Sequence, residues 1–314
     1  MKGLDLSRGF YEEYGKPMLE SCFPELLPYL AIGFVGKGSE HFGFDDEISQ
    51  DHDYEPGFCI FIPEEDVIDD RKAFQLERAY AKLPKEYKGV KRLRMSPVGG
   101  NRNGVKRISE FYSEVIGVSD GVLSAEEWLY IPDYALAEAV NGEVFLDNYG
   151  EFTRIRENLM NMPEDVKLKR LAGNLLVMAQ SGQYNFFRCL KHNEPVAAQL
   201  ACNEFVTAAM KTVFLLNHKY MPFYKWSFRA LKQIENTAEI SEKLSFLLFG
   251  DNHDNIIATK KYETIEEIAS IIIDALKKQN LTENSGLDLE AHAYCVNDKI
   301  GDANIRNMHI LEAV

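Results

Sequence analysis

The sequence predicts an α+β protein, with a small mixed β-sheet and flanking helices up to about residue 155, then an all-helical, bundle-like half. Three observations carry this. Short apolar runs bounded by turn residues recur in the first half, at residues 30–35, 58–62 and 142–147, the pattern of buried strands. From Gly150 onward apolar positions recur at helical spacing almost without interruption. Pro163, Pro195 and Pro222 stand where first-turn prolines belong. The chain is therefore expected to form two domains, residues 1–155 and 156–314.

Taken in order, residues 7–28 bring Phe10, Tyr14, Met18, Cys22 and Leu26 to one helical face, with Ser7 as N-cap. The strand at 30–35 runs into a turn around Gly38-Ser39, and a second strand follows at 58–62. Pro63 opens a helix over 64–83 that Pro84 stops. Residues 85–107 hold Lys85, Lys88, Lys91, Arg92, Arg94, Arg102, Lys106 and Arg107 against the single acid Glu86. Their Pro97, Gly99, Gly100, Asn101, Asn103 and Gly104 make most of that segment a loop. Val105 to Ile108 reads as a short strand leading into a helix at 109–116, and a helix at 132–140 precedes the strand at 142–147. Further helices are expected at 151–161, 163–192, 195–219, 222–235, 239–249, 264–279 and 298–312, with a polar loop at 280–288.

Composition narrows the function classes. Of 314 residues 46% are hydrophobic and 27% charged, enough to bury a substantial core. Thirty-five basic against 49 acidic residues give a net charge of −14, which disfavours nucleic acid and anionic membrane as general partners without excluding a local basic patch. The five cysteines are scattered, with no Cys-x-x-Cys pair, as expected of reduced thiols. No apolar run approaches membrane-spanning length and the first residues carry no apolar signal core, so a cytoplasmic protein is expected.

The densest chemical signal is Gly38-Ser39, eleven residues, then Asp51-His52-Asp53. A glycine-containing turn after one strand would lie beside two carboxylates at the start of the next. Strand alternation would put Asp51 and Asp53 on one face and His52 on the other. Two carboxylates beside a phosphate-sized turn suit a magnesium–phosphate site. Other motifs fit worse. A P-loop needs Gly-Lys directly before Ser or Thr, and here Gly38 separates Lys37 from Ser39. A dinucleotide fingerprint needs a glycine where His41 stands. His-Asp phosphohydrolases build that pair on helices, whereas this one leads into a strand.

Gly-Ser, a spacer and Asp-x-Asp resemble the signature of the polymerase-beta-like nucleotidyltransferase superfamily. The longer run from Phe44 to Gly57, with its Ser-x-Asp-His-Asp-aromatic-x-Pro pattern, resembles a bacterial branch of it with an extended helical C-terminal half. The similarity continues through residues 142–156 and 220–226. This resemblance implies a nucleotidyltransferase domain followed by a helical substrate-binding domain. It implies two magnesium ions held by Asp51, Asp53 and a third carboxylate, for which Asp147 matches the family's position and Asp133 and Glu151 are weaker alternatives. Asp147 is otherwise a turn residue. Gly38 and Ser39 would cradle the phosphates of a nucleoside triphosphate, ATP being the expected one.

In the helical half, related enzymes grip the triphosphate with a basic residue, a role that falls to Lys225 between Tyr224 and Trp226. The alternative is a snorkelling lysine on an aromatic core helix. Gln180, Gln183, Tyr184, Asn185 and Arg188 would line an acceptor pocket or bridge buried helices. Asp251 to Asp254 is read as a turn. The basic run is a solvated loop, a phosphate contact or an RNA-docking patch. The expected reaction transfers a nucleoside monophosphate to a hydroxyl of an unidentified small molecule or protein and releases pyrophosphate. Its rival is a non-catalytic nucleotide- or partner-binding, antitoxin-like module on the same fold.

Overall fold

The computed structural model describes residues 1–51, 54–92 and 102–314, with residues 50 and 51 described for their backbone alone. The fold is α+β, a small mixed sheet and a large helical region. The chain divides into two compact units. The first comprises Met1–Leu123 and Tyr134–Asn161, the second Ser124–Asp133 and Met162–Val314.

In the first unit, α1 (Gly3–Phe10) and α2 (Lys16–Cys22) flank a π-helical turn, Tyr11–Gly15. The helix starts earlier than its periodicity suggests because Asp45 Oδ2 accepts the Gly3 N–H at 2.8 Å, a cap supplied from far along the chain. Ser7, the expected cap, is buried inside α1. Strands β1 (Ala31–Phe34) and β2 (Cys59–Ile62) follow. Next come α3 (Asp70–Lys82), capped by Asp69, and a tight hairpin of β3 (Glu86–Tyr87) and β4 (Val90–Lys91). Lys88 and Gly89 turn that hairpin with φ of 48° and 81°, as a two-residue hairpin turn requires. The rest of the unit is β5 (Gly104–Arg107), α4 (Ile108–Ile116), α6 (Asp133–Val140), β6 (Glu143–Asp147) and α7 (Glu151–Met160); the short α5 (Ala125–Tyr130) lies in the second unit.

The sheet order is β5-β2-β1-β6, with β1 antiparallel to both neighbours and β2 parallel to β5. Both faces are covered, which explains why 58–62 is apolar throughout rather than alternating. Ile32, Ile60 and Ile62 pack with Leu6, Phe10 and Leu76 on one side. On the other, Phe61 stacks on Phe152 at 4.2 Å between ring centres and meets Phe111 edge-on at 5.2 Å.

The second unit is helical: α8 (Glu164–Met178), a π-helical stretch Ala179–Phe186, α9 (Phe187–Lys191), α10 (Pro195–Leu216), α11 (Tyr224–Leu231), α12 (Ala238–Phe249), α13 (Asn255–Lys278), α14 (Leu289–Asp298) and α15 (Ala303–Asn307). Helix α8 is buried along nearly its whole length, packed by α10 and α14. The expected helix at 298–312 resolves instead into α14 and α15, each opened by an aspartate cap, Asp288 and Asp302. Asp254 likewise caps α13, so the turn at Asp251 to Asp254 leads directly into that helix. Among the described residues no helix is long and apolar enough to cross a membrane.

The junction before β6 is held tightly. Gly142 has φ of 63°, and a Cβ there would run into the Phe34 carbonyl and lie 2.9 Å from Val35 Cα. Its N–H donates to His41 O at 2.9 Å. We expect Gly142→Ala to destabilise the first unit by about 2 kcal/mol or more, seen as an earlier urea transition by circular dichroism. An unchanged midpoint would show that the junction tolerates a side chain.

Candidate functional site

Strand pairing decides what meets at each end of the sheet. Gly33 of β1 pairs with Cys59 of β2, and Cys59 pairs with Gly104 of β5. Phe34 pairs with Glu143 of β6. The turn leaving β1 therefore shares one sheet end with the starts of β2, β5 and β6.

The turn itself is built by glycine and by a side-chain clamp. Gly36 and Gly38 have φ of 109° and 128°, a region that a Cβ disfavours. The Asn141 amide grips Gly36 on both sides, its Oδ1 accepting from Gly36 N at 2.8 Å and its Nδ2 donating to Gly36 O at 2.7 Å. Arg156, buried at 8% exposure, donates to Asn141 O at 2.7 Å and to Val140 O at 2.9 Å. Ser39 opens a 3-10 turn, Ser39–Phe42, with its hydroxyl 3.4 Å from Glu40 Oε2.

Between turn and β2, the acidic run has a structural logic. Asp45 is buried and holds the start of α1 through Gly3, and its Oδ1 has no hydrogen-bond partner among the described residues. Asp46 and Ser49 cap each other reciprocally: Asp46 Oδ1 accepts from Ser49 N at 3.1 Å and Ser49 Oγ accepts from Asp46 N at 2.8 Å. This supports a 3-10 turn, Ile48–Asp51, that ends on Asp51. Asp51 is thus on a turn well before β2, so strand alternation does not govern it. His52 and Asp53 lie outside the described residues.

Charges crowd the glycine turn. Arg102 Nη2 lies 2.7 Å from Glu40 Oε1 and also donates to Lys37 O. Lys37 and Lys106 both reach Glu114, at 3.6 and 3.7 Å. Burial raises the Glu40 carboxyl above the ordinary carboxylate range, with Arg102 the main influence the other way. Burial lowers His41 to about 3, helped by Arg102 and Lys106. The His41 ring packs on Phe34 at 4.1 Å between centres. Glu138 is also raised, by burial, against the pull of Lys37 and Arg102.

The structure does not bring Asp147 to this turn. It pairs with Ala31, at the opposite end of β1 from Phe34, about 10 Å away along the strand. Its two oxygens accept from Gly150 N at 2.8 Å and Thr153 N at 2.7 Å, satisfying the exposed N–H groups at the start of α7. Among the alternatives, Asp133 is paired with Arg170 at 2.5 Å in the second unit, and Glu151 pairs with Arg154 at 3.9 Å. Among the described residues no group of three side chains is gathered as a metal cluster.

The remaining predicted residues lie in the helical unit. Lys225 is exposed on α11 with its ammonium 5.4 Å from the Trp226 ring centre. Gln180, Gln183, Tyr184 and Asn185 line a cavity of about 630 Å³ together with Glu266, Asp288 and Glu290. The stretch that carries them, Ala179–Phe186, is π-helical, a rare geometry found often at functional sites. Gln183 spans the cavity wall, donating to Glu266 at 2.8 Å and accepting from Leu289 N at 2.9 Å.

The basic run resolves unevenly. Arg92 lies over the Phe10 and Tyr80 rings, and Arg107 binds Pro63 O and Asp70, both structural uses. Arg102 and Lys106 turn toward the glycine turn instead; Arg94 lies outside the described residues. Asn141 was not legible as a site residue, since only tertiary packing brings it near Gly36.

A family profile described as a domain of unknown function (DUF4037) matches residues 128–227, from within α5 to within α11. No curated protein and no solved structure matched the chain.

His41 gives the site a pH signature. Its folded value near 3 lies below the ordinary histidine value of 6.5, so the unfolded chain binds the extra proton between those limits. Stability should be full above about pH 6.5 and fall as pH drops towards 3, by about 3 kcal/mol between pH 7 and pH 4. Urea midpoints across this range should fall less steeply in His41→Gln; an identical slope would show that His41 is not the group titrating.

Proposed function

We propose that this chain is a cytoplasmic, magnesium-dependent nucleotidyltransferase that moves a nucleoside monophosphate from a triphosphate, ATP being the expected donor, to a hydroxyl of a small molecule or protein. The observation that carries the reading is the meeting, at one sheet end, of the clamped glycine turn with the strand that Asp51 and Asp53 precede in sequence.

The residues present suit the chemistry. In-line attack at a phosphorus atom needs charge neutralisation on attacking and leaving oxygens more than it needs covalent help from the protein. Lys37, Arg102 and Lys106 supply positive charge around the turn. Gly38, free of a side chain, lets phosphate oxygens approach backbone N–H groups, with the Ser39 hydroxyl beside them. Asp51 and Asp53 are hard oxygen donors of the kind magnesium prefers. Magnesium held there would polarise the reacting phosphate and offset the leaving pyrophosphate. Asp147 in this reading stabilises α7.

One observation favours a second reading. With Asp147 committed to α7, the third carboxylate of the resemblance is not at the turn. A binding module that holds nucleotide without turning it over would need no third ligand.

Transfer of α-label from each triphosphate into a small-molecule and protein extract, with pyrophosphate release, separates the two. We expect magnesium-dependent transfer that Asp51→Asn lowers about 10³-fold or more. Asp147→Ala should keep its turnover and lose about 1 kcal/mol of stability. Nucleotide binding without transfer by the wild-type chain would sink the enzyme reading in favour of the binding module. Loss of transfer in Asp147→Ala at temperatures where it stays folded would restore Asp147 as a ligand or base.

A further inference from the structure

The space above Gly38 is already occupied by an ion pair. A Cβ on Gly38 would collide with the Arg102 guanidinium and with both carboxylate oxygens of Glu40. The two side chains reach this point from different directions. Glu40 belongs to the 3-10 turn that follows Gly38, with its Cβ against Gly3 of α1. Arg102 stands just before β5, where its carbonyl accepts from Cys59 Sγ at 3.2 Å and Gly104 N–H donates to Phe58 O at 3.0 Å. Its backbone is therefore tied to β2 while its guanidinium lies over the turn after β1.

We propose that Arg102 is a phosphate-binding residue of this site, and that Glu40 holds its guanidinium as an internal stand-in for the polyphosphate until nucleotide arrives. The inference rests on the nucleotide reading above. Carboxylate and phosphate present similar pairs of oxygens to the planar guanidinium fork, and arginine keeps its charge with either partner. Gly38 faces the pair with no side chain, on the surface that close phosphate approach requires. The Glu40 side chain is 12% exposed and the Arg102 side chain 31%, so the arginine is the member with access to solvent and to an incoming ligand. The flanking charges agree. Lys37, on the turn, and Lys106, on β5, share one acid, Glu114. A polyphosphate therefore meets three cations from two chain segments once Arg102 leaves Glu40. Burial also raises the Glu40 carboxyl, so the released group takes up a proton more readily than an exposed carboxylate would.

A purely structural ion pair and a displaceable one differ in sign. If the pair only braces the turn, breaking it from either side weakens binding. If Glu40 competes with phosphate, removing its charge strengthens binding while removing Arg102 weakens it. Calorimetric titration with magnesium-ATP, and with magnesium and inorganic tripolyphosphate as a probe without base or sugar, reads this directly. Arg102→Ala should weaken both ligands about tenfold or more, with partial recovery in Arg102→Lys, and Glu40→Gln should tighten both by about three- to tenfold. Unchanged affinity in Arg102→Ala overturns the proposal, and so does weakening in Glu40→Gln, whereas wild-type ATP binding in either case leaves the nucleotide reading standing. A wild-type chain that binds none of the nucleoside triphosphates overturns both.

Discussion

The two hydrogen bonds between the Asn141 amide and the backbone of Gly36 are the constraint on which the candidate site depends. A glycine-rich turn has little reason to keep one shape, because glycine gives up more conformational freedom on ordering than any other residue. Asn141 supplies that reason by matching both the donor and the acceptor of one peptide residue. It is itself fixed on three sides. Arg156 binds its carbonyl and that of Val140, Gly142 N–H donates to His41 O, and β6 begins two residues after it. The burial of a charged guanidinium is tolerable because Arg156 spends its donors on carbonyls at the end of α6. Turn, helix end and strand start are thereby one hydrogen-bonded object, and the 3-10 turn carrying Ser39 and Glu40 inherits its position from it.

The gross architecture was legible in the sequence because buried strands and amphipathic helices leave strong periodic signals. The three apolar runs at 30–35, 58–62 and 142–147 became β1, β2 and β6 with small trims at their ends. Helix starts were less legible. Those of α1 and α3 depend on Asp45 and Asp69, the first remote and the second six residues beyond the apparent proline signal at Pro63. Within the site, Gly38 and Ser39 could be read locally as a turn, but the partners of that turn could not. Asn141 and Arg102 reach it through contacts that span more than sixty residues of chain, and no local pattern records such contacts.

Charge distribution follows the same division. The chain carries a net −14, yet its described contacts put Lys37, Arg102 and Lys106 together beside one turn. Long-range repulsion of anions by the whole protein is screened within about 10 Å at moderate salt, so the local cations govern a phosphate at contact distance. The acids nearest to them are Glu40 and Glu114, and each is already engaged by one or two of these cations. Three cations thus face two acids around the turn, a local excess of positive charge that suits exchange of anionic partners rather than permanent occupancy by any one.

Asp147 shows why a strand-end carboxylate is weak evidence of a metal site until register is known. Its sequence context, after an apolar strand and before a glycine turn, fits a ligand and a helix cap equally well. What separates them is which end of β1 it meets. The strands are antiparallel, so the residue that closes β6 must lie at the opening of β1, beside Ala31 and away from Phe34. The irregularity between Ile32 and Gly33, which leaves Phe145 as an extra residue on β6, shifts the register by only one position and cannot carry Asp147 across the sheet. Its oxygens are then the nearest acceptors for the free N–H groups at the start of α7, and both are used. Antiparallel pairing places the beginning of β6, not its end, beside the turn. A carboxylate of β6 that joined Asp51 and Asp53 in the proposed chemistry would therefore have to come from its beginning, at Glu143.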